Sequence, residues 1–414
     1  MKYRFVKSLT LLGYMSTGSL LLQADDISLH GYGTAGIAYQ ANDDVLYRNS
    51  FNMDSGTQGD ISFANYSSLG LQLDVKVNDK LSLTAQGVAS KTNPNAKLVE
   101  LSWLNSKYEI SDSFSIRAGL MRLPAFMYSD ILDVDYSYDW IRLPDMYSMM
   151  PINNYRGVEF NKNIRFDNFS LNSVLLFGNS RTTTYNSIAD GTIDQSKLEI
   201  DNIFGTSLSF LSDDLTFRVS YCKLKSTLKN KRLDGFLSQI GLIGIGSIDQ
   251  AINRYKLKKS TADYLELGGK YTFDDAYIVG EYIKITTEKF VANNSSWYVG
   301  AGYNFENWSP FVIYSAIISN QKNKDIPIAE GTPPNLVAVI TGVNQALNAI
   351  SNNVATVELE TVSLGLRYDL SENSILKLQY DRQKEFKKNR LNFHFSDKEK
   401  VDLNIYSVAI SFIF

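Results

Sequence analysis

The densest group of ionisable and aromatic side chains in the sequence lies between residues 123 and 154. This segment carries five aspartates against one arginine, Arg142, and so has a formal charge of −4. Carboxylates at this density attract cations and, beside an aqueous passage, would set an electrostatic barrier for permeating ions. The aromatic and methionine side chains among them are unusual for a solvated loop, so we expect the segment to pack against another surface. The aspartates are Asp130, Asp133, Asp135, Asp139 and Asp145, and the aromatic anchors are Tyr128, Tyr138, Trp140 and Tyr147.

Few residues elsewhere are suited to catalysis or metal binding. The 414 residues include two histidines, His30 and His394, and one cysteine, Cys222. Neither histidine has a recognisable serine motif beside it, and one cysteine allows neither an internal disulfide nor a cysteine-based metal cage. The net charge of −3 argues against a nucleic-acid partner, because such proteins are usually basic. We therefore expect no enzyme, no metal and no cofactor.

The rest of the chain must position this segment, and its N-terminus indicates an exported protein. Residues 1–24 predict a secretory signal peptide, with Lys2, Arg4 and Lys7 ahead of an apolar stretch at 9–22. This leaves 25–414 as the mature domain. No later window of 18 apolar residues occurs, which excludes a helical membrane protein. The remaining possibilities are an exported soluble protein and a membrane β-barrel.

The final segment, residues 406–414, favours the barrel. Large apolar side chains occupy its even positions and mostly small ones its odd positions, which is the period of a β-strand. The same alternation recurs along 69–77, 215–222 and 376–380, with charged residues on the small-polar face. A soluble core would not accept those charges, whereas a water-filled lumen would. On the lipid face a lysine at mid-bilayer would cost roughly 2–4 kcal/mol.

Sixteen such segments predict an all-β fold: a transmembrane antiparallel β-barrel of about sixteen strands, with short periplasmic turns and long extracellular loops. Fourteen or eighteen strands stay open as alternatives. All eight prolines fall in long connections or at the first residues of strands. Side chains cannot fill the interior of such a barrel, so a water channel is expected. The segments are 28–40, 67–77, 81–90, 97–109, 114–122, 155–161, 168–178, 201–211, 214–224, 262–273, 276–287, 295–305, 308–319, 355–369, 374–383 and 400–414, and the long connections are 41–66, 123–154, 179–200, 225–261, 320–354 and 384–399.

One stretch resembles a poorly characterised family of Gram-negative porin-like proteins. It runs from Arg117-Ala-Gly-Leu-Met-Arg122-Leu-Pro124 through Tyr128-Ser-Asp130 and Tyr138 to Trp140-Ile-Arg142-Leu-Pro144 and Tyr147. The strand and loop order also resembles the general trimeric porins, whose third loop folds inward and narrows the channel. The resemblance implies an outer-membrane location, a homotrimer and a constriction loop at 123–154. The acidic loop signature of the enterobacterial porins is absent, and Leu143 stands where a second proline would be expected.

The last strand resembles the C-terminal strand by which bacterial outer-membrane barrels are recognised for insertion. Its terminal aromatic residue is Phe414, and Phe412 and Tyr406 lie on the same face. This resemblance implies the barrel-assembly machinery as a partner during insertion. It also implies that outer-membrane lipid and lipopolysaccharide surround the folded chain, and the basic loops 225–261 and 384–399 are candidate contacts for lipopolysaccharide phosphates.

The function predicted from these features is an outer-membrane porin that passes small hydrophilic solutes and ions by passive diffusion. Arg117, Arg122 and Arg218 are expected on the wall opposite the aspartates. One unpaired charge roughly 7 Å from an ion, at an effective dielectric constant near 40, is worth about 1 kcal/mol, which predicts a mild cation preference. The alternative is that the aspartates pair with wall arginines and leave little net field. A substrate-specific channel and a barrel-anchored surface-binding protein are the other functions that stay open.

Overall fold

The structure, a computed structural model, describes residues 26–48, 50, 53, 56–91, 97–187, 193–320, 322, 325–354, 357–386 and 401–414. The predicted signal peptide, residues 1–24, lies outside the described residues. So does most of the basic loop 384–399. Both stay predictions.

The described residues form one closed antiparallel sheet of sixteen long strands, which confirms the predicted fold class. Each strand pairs with its neighbour in the chain, and the first strand pairs with both the second and the last. Closure leaves no free sheet edge. A two-residue strand, Ile61–Ser62, adds to the first strand at one rim. The strands are β1 (Ile27–Gln40), β2 (Ser68–Lys76), β3 (Leu81–Ser90), β4 (Val99–Ser111), β5 (Phe114–Arg122), β6 (Asn154–Arg165), β7 (Ser170–Ser187), β8 (Ile193–Leu211), β9 (Leu215–Lys229), β10 (Ser260–Phe273), β11 (Ala276–Thr287), β12 (Asn293–Tyr303), β13 (Trp308–Asn320), β14 (Glu358–Ser371), β15 (Ser374–Glu385) and β16 (Val401–Ile413).

Side chains alternate between the two faces of the wall as the period-two pattern predicts. On β16, Tyr406 is 52% exposed on the outer face, whereas Ser407 and Ser411 are buried on the inner face. Large apolar residues such as Leu71 and Leu378 are likewise exposed outward. An outer face of this kind is suited to lipid, because a water-soluble protein would bury these side chains.

The closing seam joins the two ends of the described chain. The amide and carbonyl groups of Gly31 and Phe414 form a reciprocal pair of hydrogen bonds of 2.7 and 2.9 Å. The ring of Phe414 lies over Gly31 in the space that a side chain there would fill. Phe412 lies similarly over Gly33, and the two phenylalanine rings are 6.2 Å apart. The aromatic C-terminus therefore packs against a glycine-rich first strand.

One predicted connection differs from the structure. The segment 179–200 was expected to be a long loop, but β7 continues to Ser187 and β8 begins at Ile193. The strands extend because Arg181, Thr183 and their neighbours keep a regular antiparallel register with residues 196–200. The expectation of a loop is wrong here because polar residues beyond the membrane are compatible with a paired ladder.

The connections 225–261 and 320–354 contain three helices. They form α1 (Lys231–Gly241), α2 (Gly246–Tyr255) and α3 (Pro334–Val354). Within the described chain, no helix is both long enough and apolar enough to cross a membrane. The three helices and the turn after β11 share a buried apolar cluster separate from the barrel interior. Its most buried members include Leu237, Ile248, Ala251, Ala292 and Leu347.

The interior departs from the expectation of a uniformly wet lumen. The inner faces of β8–β14 carry buried apolar side chains, among them Ile203, Val279, Ile283 and Ile313. These belong to one apolar cluster with the side chains of the segment 123–154. The alternation did not indicate this on β11 and β13, because apolar residues lie on both faces of these two strands, for example Ile278 outside and Val279 inside. The barrel is thus filled with packed side chains along one side of its interior.

Candidate functional site

The segment 123–154, here called the constriction loop, leaves the wall at the end of β5 and returns at the start of β6. Its base is closed by a 2.7 Å hydrogen bond from the Leu123 amide to the Asn153 carbonyl. The loop reaches β15, where the Ile141 amide donates to Gln379 at 2.7 Å. The Tyr136 hydroxyl donates to the carbonyl of Glu372 at 2.6 Å. Since β15 is far from β5 and β6 in the strand order, the loop crosses the interior of the barrel.

Aromatic residues of the loop form its contact with the apolar wall. Trp140 is only 2% exposed, and its ring lies 5.4 Å from that of Tyr128 and 6.0 Å from that of Tyr138. The Tyr147 hydroxyl donates to Glu281 on β11, which also accepts from the Tyr298 hydroxyl at 2.7 Å. All four predicted aromatic anchors therefore belong to the buried face of the loop. Apolar burial of this kind holds the loop across the lumen.

Hydrogen bonds and ion pairs hold four of the five aspartates, three of them through wall residues and one through another residue of the loop. Asp133 pairs with Arg122 at the end of β5. Asp135 accepts from the Tyr138 hydroxyl at 2.5 Å, and Asp145 accepts from Thr361 on β14 at 2.5 Å. Asp139 accepts from the Tyr277 hydroxyl at 2.5 Å and lies 3.6 Å from Arg367, whereas Asp130 is exposed.

Burial also changes the protonation behaviour of two of these carboxyl groups. Desolvation raises the pKa of Asp135 and the pKa of Asp145 above their usual range, because the charged form loses water. The nearby cations Lys377 and Arg142 act in the opposite direction.

The predicted arginines divide into two groups. Arg142 lies between two carboxylates, 3.2 Å from Asp145 and 3.5 Å from Asp381, and its guanidinium group is over the ring of Tyr47. Arg142 and Arg122 both lie beside loop aspartates.

Arg117 and Arg218 have other partners. Arg117 on β5 forms an ion pair of 2.9 Å with Glu159 on β6. Arg218 donates to the carbonyl of Pro124 at 2.5 Å and lies 3.7 Å from Glu266, between the loop and the wall. Arg218 therefore supports the start of the loop.

A cavity of about 220 Å³, here called the constriction cavity, lies between the constriction loop and the wall formed by β2–β6. Serine and asparagine side chains line its wall side, including Ser68, Ser102 and Asn154. The loop supplies apolar and charged residues on the other side. Four lining carboxylates face two lining guanidinium groups, so the lining has a formal charge of −2. The carboxylates are Glu100, Asp133, Asp135 and Asp145, and the guanidinium groups are Arg122 and Arg142.

Several residues of this site were not singled out from the sequence. Glu281 and Glu100 are isolated carboxylates in strands, and nothing in their local sequence distinguishes them. β15 did contain a signal, because polar residues occupy every second position on its inner face. Those residues are Lys377, Gln379, Asp381, Gln383 and Glu385. Lys377 donates to the Trp140 carbonyl at 2.9 Å, so this row fixes the far end of the loop.

Within the described part of the chain, no group of three histidine, cysteine or acidic side chains is arranged to hold a metal ion. The side chains that line the constriction cavity offer hydrogen-bond donors, hydrogen-bond acceptors and charges.

Comparison with known proteins supports the architecture. No model of a protein family matches the sequence, and no curated protein matches it. The fold is similar to that of an anion-selective porin from Comamonas acidovorans (TM-score 0.55, 13% identity, 94% of this chain and 99% of that chain). It is also similar to the outer-membrane channel DcaP of Acinetobacter baumannii (TM-score 0.56, 11% identity, 94% and 97%).

A third similar structure is the trimer form of OmpT, an outer-membrane protein of Vibrio cholerae (TM-score 0.51, 11% identity, 94% and 99%). The likeness covers nearly the whole of each chain. The chain therefore has the porin fold, a closed antiparallel β-barrel.

Proposed function

We propose that the chain is an outer-membrane porin, a water-filled channel through which small hydrophilic solutes and ions diffuse passively. The observation that carries this proposal is the constriction loop, which crosses a closed sixteen-strand barrel and leaves a polar, charged cavity beside one wall. Side chains cannot close a barrel of this size by themselves. A loop held across it sets the narrowest point. No catalytic step and no cofactor belong to the proposal.

We also propose a mild cation preference. The pairing of most loop aspartates with wall residues weakens the field that they would otherwise exert, as the alternative in the sequence analysis anticipates. What supports the preference is the formal charge of −2 on the lining of the constriction cavity. Since paired charges act mainly as local dipoles, the effect on a permeating ion is modest.

The test is the conductance of purified protein reconstituted in a planar lipid bilayer. We expect discrete steps of current in simple salt, with a reversal potential in a salt gradient that shows a small cation preference. Swelling of protein-containing liposomes in sugars of graded size would then give the size limit of the channel. Absence of current from folded, inserted protein contradicts the proposal.

Proposed partners follow from the same location. The similar OmpT structure is a trimer form, which supports a homotrimer here. The aromatic C-terminal strand, with Phe414, Phe412 and Tyr406, supports recognition by the barrel-assembly machinery during insertion. The exposed apolar side chains of the outer wall support contact with outer-membrane lipid, including lipopolysaccharide.

A second candidate function is ligand binding at the cell surface, with the barrel as an anchor. The observation that favours it is the assembly of α1, α2 and α3 around their own apolar cluster. If one particular solute blocks the bilayer current saturably, a substrate-specific channel is favoured instead. Zero current together with intact binding at the helices would favour the surface-binding function.

A further inference from the structure

The wall side of the constriction cavity carries hydrogen-bond acceptors that are not used within the protein. Glu100 and Ser102 lie two residues apart on β4, so both side chains are on the inner face. Asn154, at the start of β6, lines the same cavity. Within the described residues, Oε2 of Glu100 and Oδ1 of Asn154 are buried and accept no hydrogen bond. Ser102 is only 4% exposed, and its hydroxyl group has no hydrogen-bond partner among the same residues.

Acceptors of this kind favour a ligand that donates hydrogen bonds. A buried acceptor without a donor costs free energy, because it has lost its hydrogen bonds to water. Most buried polar groups in proteins therefore have a partner. Glu100, Ser102 and Asn154 all line one side of one cavity, so a single ligand with several donors would satisfy them together.

The cations of the cavity lining are already paired, whereas Glu100 is not. Arg122 forms an ion pair with Asp133, and Arg142 lies 3.2 Å from Asp145. An anionic solute would have to compete with these carboxylates for the guanidinium groups. No lysine or arginine nitrogen among the described residues lies within ion-pair distance of Glu100. The charge that is free to act on a solute is therefore negative.

The loop side of the cavity is apolar opposite these acceptors. Leu132, Ile141 and Leu143 line it, and all three side chains are half-buried. Contact with hydrocarbon would remove their remaining exposed surface from water, which is favourable. The cavity volume of about 220 Å³ corresponds to roughly seven water molecules. It therefore has room for a small organic cation that contacts both sides.

We propose that the constriction cavity binds solutes in which a primary ammonium group is attached to a compact hydrocarbon group. The ammonium group donates to Glu100, Asn154 and Ser102, and the hydrocarbon group contacts Leu132 and Leu143. A primary ammonium group has three N–H donors and no acceptor, and its hydrogen bond to a carboxylate is charge-assisted. This inference rests on the proposed channel function and names the class of solute that the narrowest part of the channel favours.

Two other classes of cation lack one half of this match. A metal cation such as K⁺ has no hydrocarbon group to place against the loop. A quaternary ammonium ion has charge and hydrocarbon but no N–H donor for the wall. The isomers tert-butylammonium and tetramethylammonium have the same charge and nearly the same shape, and they differ in the N–H donors. Comparison of these two ions therefore isolates the hydrogen bonds to the wall.

The test measures binding of both isomers to the purified full-length protein in nonionic detergent, by titration with saturation-transfer NMR. Glu100→Gln replaces the carboxylate by an amide of the same size, and Ser102→Ala removes a hydroxyl group without a change of charge. Asp130→Asn is the matched control, because Asp130 is an exposed loop carboxylate outside the cavity lining. Heat-dependent gel mobility verifies that each variant forms a folded barrel.

We expect the wild type to bind tert-butylammonium at least about tenfold more tightly than tetramethylammonium. Glu100→Gln should reduce this preference to about twofold or less, because the charge-assisted hydrogen bond is lost. Ser102→Ala should weaken binding of tert-butylammonium by about threefold, and Asp130→Asn should change it by less than about twofold. Equal binding of the two isomers by the wild type overturns the proposal. So does a preference in Glu100→Gln that is as large as in the wild type.

Planar-bilayer current from the same preparations tests the channel separately. If the wild type conducts K⁺ but binds both isomers equally, this inference is wrong and the proposed porin function is kept. If the wild type prefers tert-butylammonium but conducts nothing, the binding site is supported and the proposed porin function is contradicted.

Discussion

Glu100→Gln tests whether the charges of the constriction cavity act on permeating ions. Glu100 lines the cavity from β4, and within the described residues its carboxylate has no cation within ion-pair distance. The substitution changes the formal charge of the lining from −2 to −1. It removes no ion pair that holds the constriction loop, so the pore geometry should be kept.

The size of the effect follows from the size of the cavity. A sphere of 220 Å³ has a radius of about 4 Å, so an ion inside lies within roughly 4–7 Å of Glu100. At 7 Å and an effective dielectric constant near 40, one charge is worth about 1 kcal/mol, or roughly fivefold in the permeability ratio. Reversal potentials in a salt gradient measure this ratio. Dilute salt is preferable, because the Debye length is about 10 Å at 0.1 M.

We expect the cation preference of the wild type to fall by up to about fivefold in Glu100→Gln. Asp130→Asn is the matched control, because Asp130 is an exposed loop carboxylate outside the cavity lining. It should leave the reversal potential unchanged. If the wild type is anion-selective, or if Glu100→Gln leaves the reversal potential unaltered, the charges of the cavity lining do not set the ion preference.

Three further outcomes are expected. Arg142→Met leaves the buried Asp145 and Asp381 without their shared cation, which should lower the free energy of unfolding by about 3–5 kcal/mol and give larger, noisier single-channel currents. By contrast, the exposed pair of Arg382 and Asp402 should contribute at most about 1 kcal/mol to the free energy of unfolding. Gly157→Ala, on β6, meets the backbone carbonyl of Phe177 on β7 and should lower the yield of heat-modifiable barrel, whereas Gly342→Ala, with open space around it in α3, should not. Because burial raises the pKa of Asp135, its contribution to folded stability is present below its ordinary pKa and is lost as the pH rises through the raised value. Asp135→Asn should therefore flatten the dependence of the thermal unfolding midpoint on pH at pH values above the ordinary pKa of an aspartate.

The wall of the barrel could be predicted from the sequence because a strand with lipid on one face and water on the other alternates apolar and polar residues with a period of two. The even positions of 406–414 are apolar because they face outward, and Ser407 and Ser411 are small because they face inward. Turn chemistry is equally local, and Asp274 adopts a positive φ of 51° in a short connection. Local signals of this kind do not depend on the rest of the fold.

The inner wall of β8–β14 could not be predicted in this way. Val279, Ile283 and Ile313 are apolar because they pack against the constriction loop, and that contact joins segments more than a hundred residues apart. Alternation alone cannot distinguish an inner face that contacts a loop from one that contacts lipid. The sequence therefore did not show which apolar face of these strands points into the barrel.

The wall residues that contact each loop aspartate could not be predicted from the sequence for a related reason. The loop composition predicted an inward segment whose aspartates lie near the wall. That Asp139 lies near Arg367, and Asp145 near Thr361 and Gln383, depends on the angle at which the loop crosses the barrel. Only the folded strand order sets that angle.

A channel narrowed by the constriction loop should widen when the loop is removed. This can be measured by comparing the single-channel conductance of the wild type with that of a variant in which residues 125–150 are replaced by a short glycine-serine linker. We expect discrete openings for the wild type and a several-fold larger conductance for the variant. Folded protein that conducts nothing in either form, or equal conductance in both, would contradict it.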